Sequence, residues 1–122
     1  MFAKGFSADK LTAEQIAELT RLATLCRGDI LKMTTLAACG HPGGSMSSID
    51  LYLTVWTHGH IDASDPFHPD RDRVVISHGH TSPGAFAALG RLGFFAIDDA
   101  VAHFRQTGSP FEGHVEREVP GI

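Results

Sequence analysis

Apolar residues recur at Ile16, Leu19, Leu22/Ala23, Cys26, Ile30, Met33 and Leu36/Ala37. Steps of three and four place them on one stripe of an amphipathic helix. Thr12 followed three residues later by Gln15 has the form of a capping box and predicts the start of that helix. Gly28 weakens its middle by about 1 kcal/mol relative to Ala, and Gly40 with Pro42 predicts its end. Positions 45–58 are apolar on nearly every side (Ile49, Leu51, Tyr52, Leu53, Val55, Trp56), which predicts a second, enclosed helix. A loop rich in Asp, His and Pro spans 59–72. The β-branched run Val74-Val75-Ile76 then predicts a short buried strand that stops at a glycine-containing turn. Ser82-Pro83 offers a cap and a first-turn proline for a helix over 84–92, with Gly93 as its stop. A last helix is expected over 98–106, with Asp98 and Asp99 at its positive end. A further extended stretch is expected over 115–119, with no internal repeats and no low-complexity segment.

That pattern has one consequence. A single buried strand leaves its main-chain donors and acceptors unpaired, at about 1–3 kcal/mol for each buried group, and a parallel sheet needs neighbours on both sides. The expectation is therefore a mainly helical piece of a larger α/β unit, with the rest on another chain or missing. Residues 1–122 form one such portion, with 1–10 as a flexible lead-in.

Composition narrows this further. A chain of 122 residues is at most one domain, and 43% hydrophobic with 20% charged residues is ordinary for a soluble globular protein. Residues 1–40 carry five Lys/Arg against four Asp/Glu, and 41–122 carry five against ten, giving the net −4. The absence of any basic cluster argues against nucleic-acid binding. No apolar stretch approaches the roughly 18 residues of a membrane helix, and no secretory leader is visible, so a cytoplasmic location is expected. Cys26 and Cys39 fall in one predicted helix, roughly 20 Å apart along its axis. Both are expected to be buried small hydrophobes in a reducing compartment rather than a disulfide.

Candidate chemistry lies in the loops. His41 stands in Gly40-His41-Pro42-Gly43-Gly44, His78 and His80 in Ser77-His78-Gly79-His80, and His114 after Gly113. Histidines on glycine-rich backbone can reach a ligand, and imidazole exchanges protons near neutral pH. His80 directly follows the expected strand, where ligand sites of α/β folds collect. His58, His60, His68 and His103 lack that support, and Asp50 is expected to be a structural partner. His58-x-His60 and His78-x-His80 have the spacing of a zinc hydrolase site, but nothing in the chain completes the three or four ligands required.

From about Leu22 onward the chain resembles the start of the thiamine-diphosphate domain of transketolases. The resemblance rests on Gly40-His41-Pro42-Gly43-Gly44-Ser45, on Arg71-Asp72-Arg73-Val74-Val75-Ile76-Ser77 continuing through Gly79-His80, on Gly113-His114 with Glu116, and on Pro120-Gly121. The Gly-Gly-Ser form of the first loop is similar to bacterial and archaeal members, some of which are split into two subunits.

The resemblance implies the N-terminal portion of a doubly wound α/β thiamine-diphosphate-binding domain, incomplete as given, and a transferase of carbohydrate metabolism that moves a two-carbon ketol unit between sugar phosphates with thiamine diphosphate and Mg2+. His41 and His114 would then hydrogen-bond the donor's hydroxyl and the acceptor's carbonyl oxygen. His80 would sit near the cofactor diphosphate and the transferred fragment. The metal ligands and the glutamate that activates the cofactor would lie outside this chain. Its partner would be the remainder of the transketolase, as a C-terminal part or second subunit, in a homo-oligomer when complete. The isolated chain is expected to be inactive.

The chain departs from the family at His78 (usually Asn), Thr81 (usually Gly) and Val115 (usually Pro). Gly79-His80-Thr81-Ser82-Pro83-Gly84 and Phe104-Arg105-Gln106 are equally similar to homodimeric pyruvate dehydrogenases, which makes a 2-oxo acid decarboxylating component the alternative. A metal-dependent hydrolase and a non-catalytic interaction fragment are the more distant ones.

Overall fold

Both halves of the expected capping box form. Thr12 Oγ1 accepts from the Gln15 N–H at 3.2 Å, and Gln15 Oε1 accepts from the Thr12 N–H at 2.9 Å. This computed structural model describes residues 2–122. The capped helix, α1 (Ala13–Leu36), runs unbroken through Gly28 because that residue lies on the solvent side. Leu22, Ala23, Cys26, Ile30 and Met33 form its buried stripe. The stripe outruns its cover at both ends, where Ile16 is 53% and Leu36 69% exposed.

α1 stops earlier than Gly40 and Pro42 suggest. Ala38 takes a left-handed φ of 53°, its N–H reaches Thr35 O at 3.1 Å, and the Cys39 N–H reaches Thr34 O at 3.2 Å. This is the paired closure that usually carries glycine. Cys39 is consequently outside the helix and exposed, which corrects the expectation of two buried cysteines; Cys26 is fully buried and both thiols are free.

α2 (Pro42–His58) begins three residues before the expected start, with His41 in the cap position and Pro42 in the first turn. α3 (Ser82–Arg91) is capped by Thr81, one residue earlier than expected. Its end closes on Gly93 at φ 89°, with the Phe94 N–H reaching Leu89 O at 3.1 Å. α4 is shorter than expected, Ile97–His103, and a 3-10 turn at Lys4–Phe6 precedes them all. Residues 2–6 lie against the end of α2. The Phe2 and Phe6 rings contact His58 at 5.2 and 5.4 Å, and Lys4 Nζ donates to Ile61 O at 3.1 Å.

α1, α2 and α3 pack against one another, and α4 covers α1 and α3. The α2–α3 crossing is tight at Gly84, where an added Cβ would stand 2.9 Å from Ser45 O and 3.1 Å from Tyr52 Cε2. Trp56, Phe86, Ile49 and Leu53 fill the centre. The C-terminal turn closes the far side: Val119 is fully buried and Trp56 Nε1 donates to Gly121 O at 2.9 Å. Asp29, almost fully buried on α1, is held by Arg91 of α3 through two bonds of 2.6 and 2.8 Å. No helix among the described residues is long and apolar enough to cross a membrane.

The expected strand at Val74-Val75-Ile76 does not form, although its alternation survives. Val74 and Ile76 pack partly against the core while Val75 is 87% exposed. No neighbouring strand lies beside it, and among the described residues the main-chain N–H and C=O groups of 74–77 have no hydrogen-bond partner. The stretch 115–119 is likewise not extended; the Val119 N–H turns back to Glu116 O at 3.0 Å.

Three outcomes are expected. Gly28→Ala should raise unfolding stability by about 0.5–1 kcal/mol, since an added Cβ meets nothing within 4 Å and Ala favours helix. Arg91→Ala should lower it by about 2–3 kcal/mol. That is less than the loss for a fully buried pair, because Arg91 still meets water and Lys32 stands 4.0 Å from Asp29. Burial, with the Asp29 charge adding to it, pushes the Cys26 thiol up to about 12 from the ordinary 9.0. A folded pKa raised in this way gives stability that is complete below about pH 9 and declines as pH rises toward about 12. Denaturation curves across that range should be flatter for Cys26→Ala than for the unaltered chain.

Candidate active site

His41 sits one residue before α2, at φ −125°. His80 sits one residue before the Thr81 cap of α3 and is left-handed at φ 65°, a conformation costing roughly 1–2 kcal/mol for a residue with a Cβ. His114 lies in the loop after α4. Ser82 Oγ donates to Glu112 O at 2.8 Å and so ties that loop to the start of α3. Phe111 anchors it in the core against Phe86 and Phe95, with ring centroids at 5.3 and 5.1 Å.

These three supports bring the imidazoles together. The His41 and His80 rings have centroids 4.5 Å apart at 53°, and those of His80 and His114 are 4.7 Å apart at 60°. His80 is therefore the middle ring of the row. An added Cβ on Gly79 would stand 3.3 Å from His114 Nε2, so the two loops touch. All three rings are exposed, and a cavity of about 50 Å3 opens beside them, lined by Ile76, His78, His80, Thr81 and His114.

His78 belongs to a different arrangement. Its Nε2 lies 3.0 Å from Ser48 Oγ and 3.2 Å from Tyr52 OH, and its ring stacks on Tyr52 at 5.8 Å and 25°. Tyr52 OH lies 2.6 Å from Thr81 Oγ1, and Thr81 Oγ1 donates to His78 O at 3.2 Å. With the single Thr81 hydroxyl proton on that carbonyl, Tyr52 donates to Thr81 and His78 Nε2–H donates to Tyr52 and Ser48. Burial raises the Tyr52 phenol above its ordinary pKa, against a smaller opposing effect of the Thr81 bond, so the phenol keeps its proton at neutral pH. Composition and spacing gave no hint of this ring of bonds beyond one signal: Ser48 and Tyr52 are four apart and share a face of α2.

The remaining histidines are held elsewhere. His58 is buried against Phe2 and Phe6 with Nδ1 3.0 Å from Thr54 O, and His60 packs beside Gly5. His68 Nδ1 accepts from the Asp70 N–H at 3.1 Å, and His103 Nδ1 lies 2.9 Å from Asp99 O. The members of each His-x-His pair thus answer to different neighbours. Among the described residues no three His, Cys, Asp or Glu side chains are grouped to hold a metal ion. Asp50 is paired with Arg27 at 2.7 Å on the surface, as a structural partner.

A helical layer with imidazoles just before the starts of two helices, beside a stretch at 74–77 whose main chain is unpaired among the described residues, fits the helical part of an α/β domain. Comparison with known families agrees. Residues 19–122 match the model described as transketolase, thiamine diphosphate binding domain. A plasmid-encoded transketolase of Cupriavidus necator is 34% identical over 111 residues, 89% of this chain and 17% of that protein. A transketolase of Cereibacter sphaeroides is 36% identical over 102 residues, 82% of this chain and 16% of that protein. The transketolase of Kluyveromyces lactis is 29% identical over 109 residues, 88% and 16% respectively. The chain belongs to the transketolase family, within its thiamine-diphosphate-binding domain. It spans about a sixth of the length of these curated relatives.

The residues present suit such a cofactor. Three exposed imidazoles on adjoining glycine-bearing loops offer ring N–H groups to phosphoryl and hydroxyl oxygens.

Proposed function

We propose that this chain supplies one wall of the active site of a transketolase that transfers a two-carbon ketol unit between sugar phosphates. The observation that carries the reading is the row of His41, His80 and His114, three imidazoles from three separate bends within 4.7 Å of their neighbours. Thiamine diphosphate, when bound, supplies the stabilised carbanion chemistry that side chains cannot. The chain's own part is orientation and proton traffic. His41 and His114, at the two ends of the row, hydrogen-bond the donor's hydroxyl and the acceptor's carbonyl oxygen and exchange protons with them. His80, between them, holds the cofactor diphosphate side and the transferred fragment.

Mg2+ and the groups that hold it belong to the rest of the enzyme, as does the carboxylate that activates the cofactor. The bare stretch at 74–77 and the groove of about 490 Å3 beside it, where Val74, Val75, Ile76, Val115 and Ile122 are flanked by Arg71, Arg73 and Arg117, support the remainder of the enzyme as the partner. The assembled enzyme is a cytoplasmic homo-oligomer in this reading.

In an assembled enzyme, His41→Ala and His114→Ala should each lower turnover by about 10²–10⁴-fold while changing cofactor affinity far less. Unchanged turnover in both variants removes the role assignment. The chain alone, given thiamine diphosphate, Mg2+ and a ketose phosphate, should give no ketol transfer, and measurable turnover would show that the missing groups are dispensable.

A further inference from the structure

Thr81 occupies the cap position of α3, where a threonine hydroxyl ordinarily accepts from the helix's own first N–H groups and stabilises it by about 1 kcal/mol. Here it makes no such bond. Thr81 is 5% exposed, and its hydroxyl is engaged by Tyr52 OH at 2.6 Å and by His78 O at 3.2 Å. The same phenol lies 3.2 Å from His78 Nε2. Tyr52 thus holds the chain on both sides of His80, two residues before it and one residue after. Between those two ties His80 is left-handed at φ 65° without the freedom of glycine, a strain that persists only where the surroundings over-determine it. Tyr52 can lie flat under this turn because Gly84 leaves the space: a Cβ there would stand 3.1 Å from Tyr52 Cε2.

We propose that Tyr52 is a positioning residue. Its phenol, through His78 and Thr81, forces the 78–81 turn into the conformation that carries the His80 ring between His41 and His114. The proposal rests on the reading of His80 as a site residue only for its catalytic consequence; the geometric claim stands by itself. Tyr52 acts at one remove from the row: its polar contacts are with His78 and Thr81, on either side of His80.

The test uses the chain with isotope-labelled histidine. Nuclear Overhauser cross-peaks from the His80 ring to the His41 and His114 rings report the row directly. Tyr52→Phe, which keeps the ring and removes the hydroxyl, should lose both cross-peaks while the amide spectrum of α1 stays in place. Thr81→Val should lose them as well, and Thr81→Ser, which restores a hydroxyl, should retain them. Retention of both cross-peaks in Tyr52→Phe overturns the proposal. If Tyr52→Phe does not fold, Thr81→Val decides in the same way. Tyr52→Phe in an assembled enzyme then separates the two readings. Lost cross-peaks with undiminished turnover would leave the positioning standing and remove His80 from the mechanism. Retained cross-peaks would remove the positioning whatever the turnover.

Discussion

At Gly84 the backbones of α2 and α3 are too close for a methyl group, since a Cβ there would meet Ser45 O at 2.9 Å. That contact lies at the first turns of both helices, and two of the three imidazoles sit just upstream of those turns. His41 precedes Pro42 of α2, and His80 precedes the Thr81 cap of α3. Bringing the two helix starts together therefore brings the two rings together. The third ring follows by a separate route, because the Ser82–Glu112 bond fastens the His114 loop to the same start of α3. One helix crossing and one side chain to main-chain tie thus gather the loops that carry the three rings.

The rest of the core keeps that crossing in register. Trp56 reaches across to Gly121, and Asp29 and Arg91 lock α1 to the end of α3. The ion pair is nearly dry on the acid side, so its contribution is to orientation as much as to stability: a buried carboxylate tolerates few alternative arrangements of its partner. The cysteine in the same stripe of α1 is inert for a related reason, since a thiolate there would have to form beside the Asp29 charge without water.

Helices were legible in the sequence wherever periodicity and punctuation agreed. The α1 stripe, its capping box and the Gly93 stop all formed as the residues suggest. Failures came where a local signal was overruled by something distant. Ala38 closes α1 with a residue that gives no stop signal, leaving Cys39 exposed. The cap falls on Thr81 rather than Ser82, and neither hydroxyl caps the helix: Thr81 is engaged by Tyr52, 29 positions away, and Ser82 by Glu112 O. Val74-Val75-Ile76 has the composition of a strand, but a strand is a relation between segments and none of the described residues pairs with it. The three candidate histidines were visible as loop histidines; that they would touch depended on the Gly84 crossing, which no spacing rule encodes. His78 could not be placed from sequence because its role is set by Ser48 and Tyr52 on another helix.

The unpaired stretch at 74–77 also bears on how such a chain behaves in a cell. Open backbone with an outward valine is a template on which identical copies can stack, and Arg71, Arg73 and Arg117 beside it are the charges that oppose such stacking. Covering that stretch removes the template, so the cost of leaving it bare is paid in self-association rather than in lost folding energy.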